Sequence, residues 1–210
     1  MIVETVLQGS PEWFQLRCGC ATASRLDDVI GKYKGKETYK QGRADYMGEI
    51  VAEILTNKTA EHYVSPAMQW GVDIEPLAKE AYQIERDVEI GMAGIEFHDK
   101  INRFAASPDG YLGSDGLIEI KCPNTITHIG YIIAGVVPED YKPQMLGQMS
   151  CSGRKWCDFV SFDPRLPRKY QLFIKRFERD DEEISRIEAE VLKFNAEVQD
   201  MIAALKKDRG

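Results

Sequence analysis

Two hydrophobic periods divide the chain. In residues 39–57, Tyr46, Met47, Ile50, Val51 and Ile54 recur at helical spacing. The stretch TASRLDDVIG (22–31) predicts a short helix, with Thr22 or Ser24 as its cap and Gly31 at its end. A third helix is expected over 70–86, where Pro76 fits only in a first turn or at a kink. The middle then changes to strand-like segments: AGIEFHD, NRFAASPD and GLIEIKCP, broken by turns. Residues 141–153 return to the helical period, with Gly153 as a stop, and KWCDFVSFD and YQLFIKRF form a strand pair. Along 181–207, Ile184, Ile187, Val191, Phe194, Val198, Met201 and Leu205 mark one face of a long helix. That helix is expected to pack on the body of the protein, with a coiled-coil contact as the alternative. Helices flanking a central mixed sheet give an α/β or α+β fold. No repeat, low-complexity tract or Pro/Gly/Ser linker interrupts the pattern, so residues 1–210 are expected to form a single domain.

Composition narrows the setting. The chain has 210 residues, 43% hydrophobic and 29% charged, as ordinary globular proteins do. It has no apolar run of membrane-spanning length. The start MIVETVLQGSPEWF lacks a signal peptide's basic and apolar regions. Both points predict a cytoplasmic protein with no membrane partner. The five cysteines, Cys18, Cys20, Cys122, Cys151 and Cys157, are an odd number and argue against a disulfide framework. A net charge of −7 speaks against indiscriminate nucleic-acid binding but leaves room for a local basic channel. Lys32, Lys34, Lys36, Lys40 and Arg43 cluster, as do Arg154, Lys155, Arg165, Arg168, Lys169, Lys175 and Arg176, and either group can equally be a solvated face.

The candidate chemistry lies in SPDGYLGSDGLIEIKCP (107–123). As a strand, GLIEIKCP sends Leu117, Glu119 and Lys121 to one face and Ile118 and Ile120 to the other. Alone, Glu119 and Lys121 read as an ion pair on a solvated strand. Asp109 changes that reading, because GYLGSDG is long enough to fold back and set Asp109 against Glu119 and Lys121. Two carboxylates brought together resist joint ionisation, and a divalent cation between them removes the penalty. Oxygen ligands without histidine or cysteine suit Mg²⁺ or Mn²⁺. The lysine then positions or deprotonates water, or steadies charge on a phosphate, so metal-assisted phosphodiester hydrolysis fits this set. Asp115, further along the loop, is read as turn chemistry.

Pro108-Asp109 followed by Glu119-Ile120-Lys121 matches the PD…ExK nuclease signature. WFQLRCGCATASRLDDVIG, MQWGVDIEPLA, ASPDGYLGSDGLIEIKCP and FVSFDPR occur in one order, over about residues 7–176. In this the chain resembles the phage lambda exonuclease and YqaJ-type viral recombinase family. The resemblance implies a restriction-endonuclease-like core and a 5′→3′ exonuclease on linear double-stranded DNA. Such an enzyme releases mononucleotides and leaves 3′ single-stranded overhangs for annealing recombination.

It also implies residue roles. Asp109, Glu119 and the Ile120 carbonyl would hold Mg²⁺, two ions per site, with Lys121 orienting or activating water. Glu75 would complete the site through water or the second ion. Gln144 matches the family glutamine on the helix behind Lys121, and Gln148 lies one turn on. Arg17 and Ser24 match a 5′-phosphate pocket, to which Ser107 adds a hydroxyl. Met68 falls at an apolar wedge that parts the end base pairs, with a core methionine as the alternative. Lys34 falls where a basic side chain meets DNA, and Lys32 belongs to the same cluster. The family position that can hold a phosphate-binding arginine is Thr127 here, followed by His128, which leaves the 5′-phosphate requirement open. The implied partners are DNA ends, two further copies in a ring-shaped homotrimer, and a single-strand annealing protein.

Three other readings compete. An iron–sulfur RecB-like nuclease needs four clustered cysteines, and the spacing here matches no familiar cluster. A non-catalytic DNA-end binder has no need of Asp109, Glu119 and Lys121. A related endonuclease would cut closed circles.

Overall fold

The computed structural model describes residues 2–3, 6–60 and 64–207. In chain order the first elements are β1 (Ile2–Val3), α1 (Pro11–Arg17), β2 (Ala21–Thr22), α2 (Leu26–Ile30), α3 (Gln41–Thr56) and α4 (Pro66–Arg86). Then come β3 (Ile95–Phe97), β4 (Phe104–Ala106), β5 (Gly110–Leu112), β6 (Gly116–Lys121) and α5 (Thr125–Ala134). The chain closes with α6 (Lys142–Ser152), β7 (Trp156–Phe162), β8 (Leu172–Glu178) and α7 (Asp181–Lys207). The expected mixed sheet is divided into two four-stranded mixed sheets, ordered β1-β3-β4-β2 and β5-β6-β7-β8. Ser107-Pro108-Asp109 joins them, and Pro108 has no N–H to continue a ladder.

Both faces of the second sheet are covered. Leu117 and Phe159 join the main core under α6 and α7, whereas Ile118, Ile120 and Val160 pack with Ala78 and Tyr82 of α4. The face that carries Glu119 is therefore not solvated, and Glu119 itself is 1% exposed. An ordinary surface ion pair is thereby excluded for this glutamate.

The helices show where periodicity suffices. In α3, Tyr46, Ile50 and Val51 are buried, and Met47 and Ile54 pack beside them. In α7, Ile184, Ile187, Val191, Phe194 and Val198 are buried, but the stripe ends at Ile202, and Met201 and Leu205 are exposed. Each such side chain contributes about 1.5–3 kcal/mol when fully buried, an upper estimate, so α7 is docked along its length.

Local chemistry corrects the other boundaries. Helix α4 begins at Pro66, with the Ser65 hydroxyl accepting from Met68 N, and Pro76 lies inside the helix rather than in its first turn. The 22–31 segment is a 3₁₀ turn (Ala23–Arg25) followed by α2; Thr22 stands at the N-cap position of the turn, but neither its hydroxyl nor that of Ser24 makes a capping hydrogen bond. Their hydroxyls face each other at 3.3 Å instead. Gly31 does end α2, donating its N–H to the Asp27 carbonyl. Helices α1 and α5 were not expected; Ser10 with Pro11, and Asn124, start them by accepting from Trp13 N and Thr127 N.

Gly147 sets the distance between α6 and the 22–31 segment. A Cβ there would stand 2.4 Å from Leu26 Cδ1 and 3.1 Å from the Ala23 Cβ. Leu26 is fully buried and has nowhere to move. Gly147→Ala is expected to cost about 1–3 kcal/mol through overpacking, measured by urea denaturation. Unchanged stability would show that the two segments separate freely.

Candidate active site

The antiparallel hairpin β5–β6 pairs Gly110 with Ile118 and Leu112 with Gly116. Gly113 makes the turn at φ 58°, a conformation that side chains with a Cβ rarely adopt. This register brings Asp109 beside the middle of β6. Its Oδ2 accepts from Ile120 N at 2.7 Å, and its own N–H donates to the Ile118 carbonyl.

Glu119 is held from three sides. Its Oε1 lies 2.5 Å from Lys121 Nζ and accepts from Gln144 Nε2 at 2.7 Å. Its Oε2 accepts from Gln148 Nε2 at 2.5 Å. One turn of α6 thus supplies both amides, as helical spacing allows. Glu75 reaches the same cleft from α4, where Lys79 Nζ pairs with it at 2.8 Å. Burial, then the charges of Glu119 and Glu75, push the Asp109 carboxyl well above its ordinary value. Burial opposes the Lys121 ammonium, but Glu119 and Asp109 outweigh it and keep it protonated. In this state Lys121 is a hydrogen-bond donor rather than a base.

A cleft of about 590 Å³ opens over these groups. The residues that the sequence resemblance assigns to a phosphate pocket line the same cleft. Arg17 Nη2 donates to Ser24 Oγ at 3.3 Å, and the guanidinium lies 3.9 Å from the centre of the Trp13 ring. Trp13 Nε1 in turn donates to Ser107 Oγ at 3.2 Å. Arg17, Ser24 and Ser107 are therefore one connected group that lines the cleft together with Asp109 and Glu119. Trp13, which joins them, was not singled out in the sequence. It stands four residues before Arg17 on α1, and that spacing becomes informative only once the helix is known. Gln8 and Tyr141 also line the cleft without having been anticipated. The Tyr141 ring centre lies 5.0 Å from Lys121 Nζ.

Met68 is 54% exposed at the cleft wall, so it is not a core residue. Cys122 also lines the cleft, partly buried, rather than being confined to the core face. Burial, then Glu75 and Asp109, push its thiol up to about 12, so it remains protonated at neutral pH. His128 does not stand in for the missing arginine. It is fully buried, with Nδ1 2.7 Å from Ser161 Oγ and Nε2 2.9 Å from the Tyr170 carbonyl. Asp115 pairs with Lys155 at 3.0 Å, as its turn role requires.

The basic clusters are largely committed elsewhere. Lys32 pairs with Glu37 and Lys40 with Asp27, while Arg43 is buried against Glu197. Arg176 pairs with Asp158 and Arg165 with Asp163. Lys32 and Lys34 do not line the cleft.

The donor set suits a hard divalent cation: Asp109 and Glu119 supply carboxylate oxygens, and burial first, then the neighbouring acids, disfavour the Asp109 charge that a cation would stabilise. In the structure Lys121 and Lys79 neutralise Glu119 and Glu75. Among the described residues no three acidic, histidine or cysteine side chains are gathered closely enough to ligate a metal, the cysteines included.

A mixed α+β protein with two acids and a lysine on such a hairpin has the architecture of the PD-(D/E)xK nucleases. Residues 12–155 match the YqaJ-like viral recombinase domain, and the chain belongs to that family. The alkaline exonuclease LHK-Exo from Laribacter hongkongensis is 45% identical, with a TM-score of 0.87 over 95% of this chain and 97% of that one. Its complex with dAMP superposes with a TM-score of 0.88 at the same identity and coverage. A phage-related exonuclease from Haemophilus somnus 129PT, 18% identical over 89% of this chain and 96% of its own, shares the fold with a TM-score of 0.63. Curated protein sequences give no match.

Proposed function

We propose that this protein is a divalent-metal-dependent exonuclease that degrades linear double-stranded DNA from 5′ ends, releases mononucleotides and leaves 3′ single strands. The observation that carries the reading is one cleft lined by both Asp109, Glu119 and Lys121 and the Arg17–Ser24–Ser107 group. LHK-Exo's complex with dAMP supports a nucleotide as the ligand class.

Asp109, Glu119 and the Ile120 carbonyl are the assigned ligands for Mg²⁺, with Mn²⁺ as a substitute, and Glu75 acts through water or a second ion. Two bound ions would supply positive charge to both the attacking and the leaving oxygen. The protein does the rest. Arg17, Ser24 and Ser107 take the terminal 5′-phosphate, the guanidinium through paired hydrogen bonds. Lys121 orients the attacking water by donating to it, while Gln144 and Gln148 keep Glu119 in place. Met68, exposed at the wall, packs against the terminal base pair. The water oxygen bonds to phosphorus, the bond to the 3′ oxygen of the terminal nucleotide breaks, and that oxygen takes a proton.

Lys34, with Lys32 behind it, is assigned to the DNA backbone. The single domain of residues 1–210 is proposed to assemble as a ring-shaped homotrimer in the cytoplasm and to hand its 3′ strand to an annealing protein. Exposed Ile126 and Ile133 on α5 and Ile84 on α4 are apolar surface that such contacts would cover.

The test uses linear duplexes labelled at either end, bearing 5′-phosphate or 5′-hydroxyl, with Mg²⁺ or with chelator. Mononucleotides are expected from 5′ ends with metal only, and closed circles are expected to stay intact. Release from 3′ ends, cutting of circles, or activity in chelator contradicts the reading. Arg17→Ala is expected to weaken 5′-phosphate recognition by about 1.5–3 kcal/mol, the worth of a charged hydrogen bond, read as a roughly 10–10²-fold loss of kcat/KM. An unchanged phosphate preference removes Arg17 from the pocket.

A further inference from the structure

Behind Arg17, on the side away from Asp109, lies a second cleft of about 350 Å³. Arg17, Thr22, Ser24 and Met68 line both clefts, so the phosphate group is a partition between them. The volume is within the range of small-ligand sites, roughly 300–1,000 Å³. Its chemistry differs from that of the first cleft. Phe14, 40% exposed, lines the second cleft, its ring perpendicular to that of Trp13 with ring centres 4.9 Å apart. Met68, 54% exposed, adds a polarizable apolar wall. The polar lining includes Thr59, Glu49 and Glu53. Arg25, the remaining cation there, is occupied by Asp28 at 2.5 Å and Glu49 at 3.0 Å. With Arg17 confined to the partition and Arg25 already paired, an aromatic ring, a thioether and two carboxylates suit an uncharged nucleoside better than a second phosphate.

We propose that this second cleft receives one unphosphorylated nucleoside attached to the 5′ side of the phosphate that Arg17 grips. The enzyme then accepts a duplex carrying a one-nucleotide 5′-hydroxyl extension. It seats the extension's linking phosphate in the Arg17 pocket, with the extra base on Phe14. The scissile phosphate stays where it is for a blunt end. Water adds to that phosphorus, the bond to the 3′ oxygen of the preceding nucleotide breaks, and a dinucleotide with a free 5′-hydroxyl leaves in place of a mononucleotide. This inference rests on the exonuclease reading above.

The experiment compares three duplexes blocked at the far end: blunt with 5′-phosphate, extended by one nucleotide with 5′-hydroxyl, and extended with 5′-phosphate. The first product of each is identified by mass spectrometry. The hydroxyl extension is expected to yield the dinucleotide, and the phosphorylated extension at least tenfold less of it. Phe14→Ala is expected to reduce dinucleotide release at least tenfold, with blunt-end turnover within twofold of the parent and Phe14→Trp restoring it. Mononucleotide release from a blunt end with no dinucleotide from the hydroxyl extension overturns the second cleft alone. So does a Phe14→Ala loss that is equal on blunt and extended ends. Failure to degrade the blunt duplex overturns the exonuclease reading itself, and the inference with it.

Discussion

Lys121→Met is expected to lower kcat on 5′-phosphorylated duplex by about 10²–10⁴-fold, the usual worth of a positioned proton-transfer or hydrogen-bonding group. Asp109→Asn is expected to lose at least as much. Both substitutions preserve shape. Methionine keeps the apolar stem of the lysine, and asparagine can still accept from Ile120 N, which donates to Asp109 at 2.7 Å. Thermal unfolding should change little for Asp109→Asn and fall for Lys121→Met, and in both the loss of activity should fall on kcat more than on KM. The distinction matters because Lys121 also neutralises Glu119, whose carboxylate is 1% exposed. Removing the ammonium alone leaves a buried charge short of a partner. Gln144 and Gln148 still donate to it, which is why the fold is expected to survive. If both variants turn over within threefold of the parent, the hairpin is not the catalytic centre.

A second stability effect is expected away from the cleft, at Asp158. This carboxylate is 1% exposed on β7 and accepts from Tyr82 Oη at 2.7 Å and from Arg176 Nε at 2.8 Å. It therefore ties α4 to β7 and β8, and α4 also carries Glu75. Asp158→Ala leaves the Tyr82 hydroxyl, itself 2% exposed, without its acceptor and takes the carboxylate from Arg176, whose side chain is 48% exposed. The buried hydroxyl left without an acceptor costs about 1–3 kcal/mol, and the half-exposed ion pair adds up to about 1 kcal/mol. Asp115→Ala is the matched comparison, because its ion pair with Lys155 is about half exposed on both sides, at 47% and 69%. That change is expected to cost no more than about 1 kcal/mol. Equal losses in urea denaturation would mean that burial of Asp158 does not decide its worth.

The contrast shows what can be read from sequence. Glu119 and Lys121 share a strand face by the period of two, and the glycine-rich loop brings Asp109 back to them. That much was legible, as was the long docked face of α7. Two helices were not. Helix α1 has Trp13 and Phe14 side by side, so it shows no clean period, and its Ser10-Pro11 start is its sole clear signal. Helix α5, TITHIGYIIA, is rich in β-branched residues that favour strands, and its exposed Ile126 and Ile133 conceal any core face. Arg17, Ser24 and Ser107 came from family resemblance, because their link runs through Trp13 across residues distant in sequence. The same holds for the basic residues. The Lys32–Arg43 cluster reads in sequence as a backbone track or a solvated face, but Arg43 is a buried partner of Glu197, and in the second basic group Arg176 pairs with Asp158.

The central claim is that Asp109 and Glu119 form a metal centre, and Mn²⁺ binding tests it without any substrate. Titration of the metal-free protein with Mn²⁺, followed by electron paramagnetic resonance of the free ion, should show saturable binding. Binding should be lost in Asp109→Ala and retained in Asp115→Ala, since Asp115 serves the turn. Equal Mn²⁺ binding by the parent protein and Asp109→Ala would contradict the account.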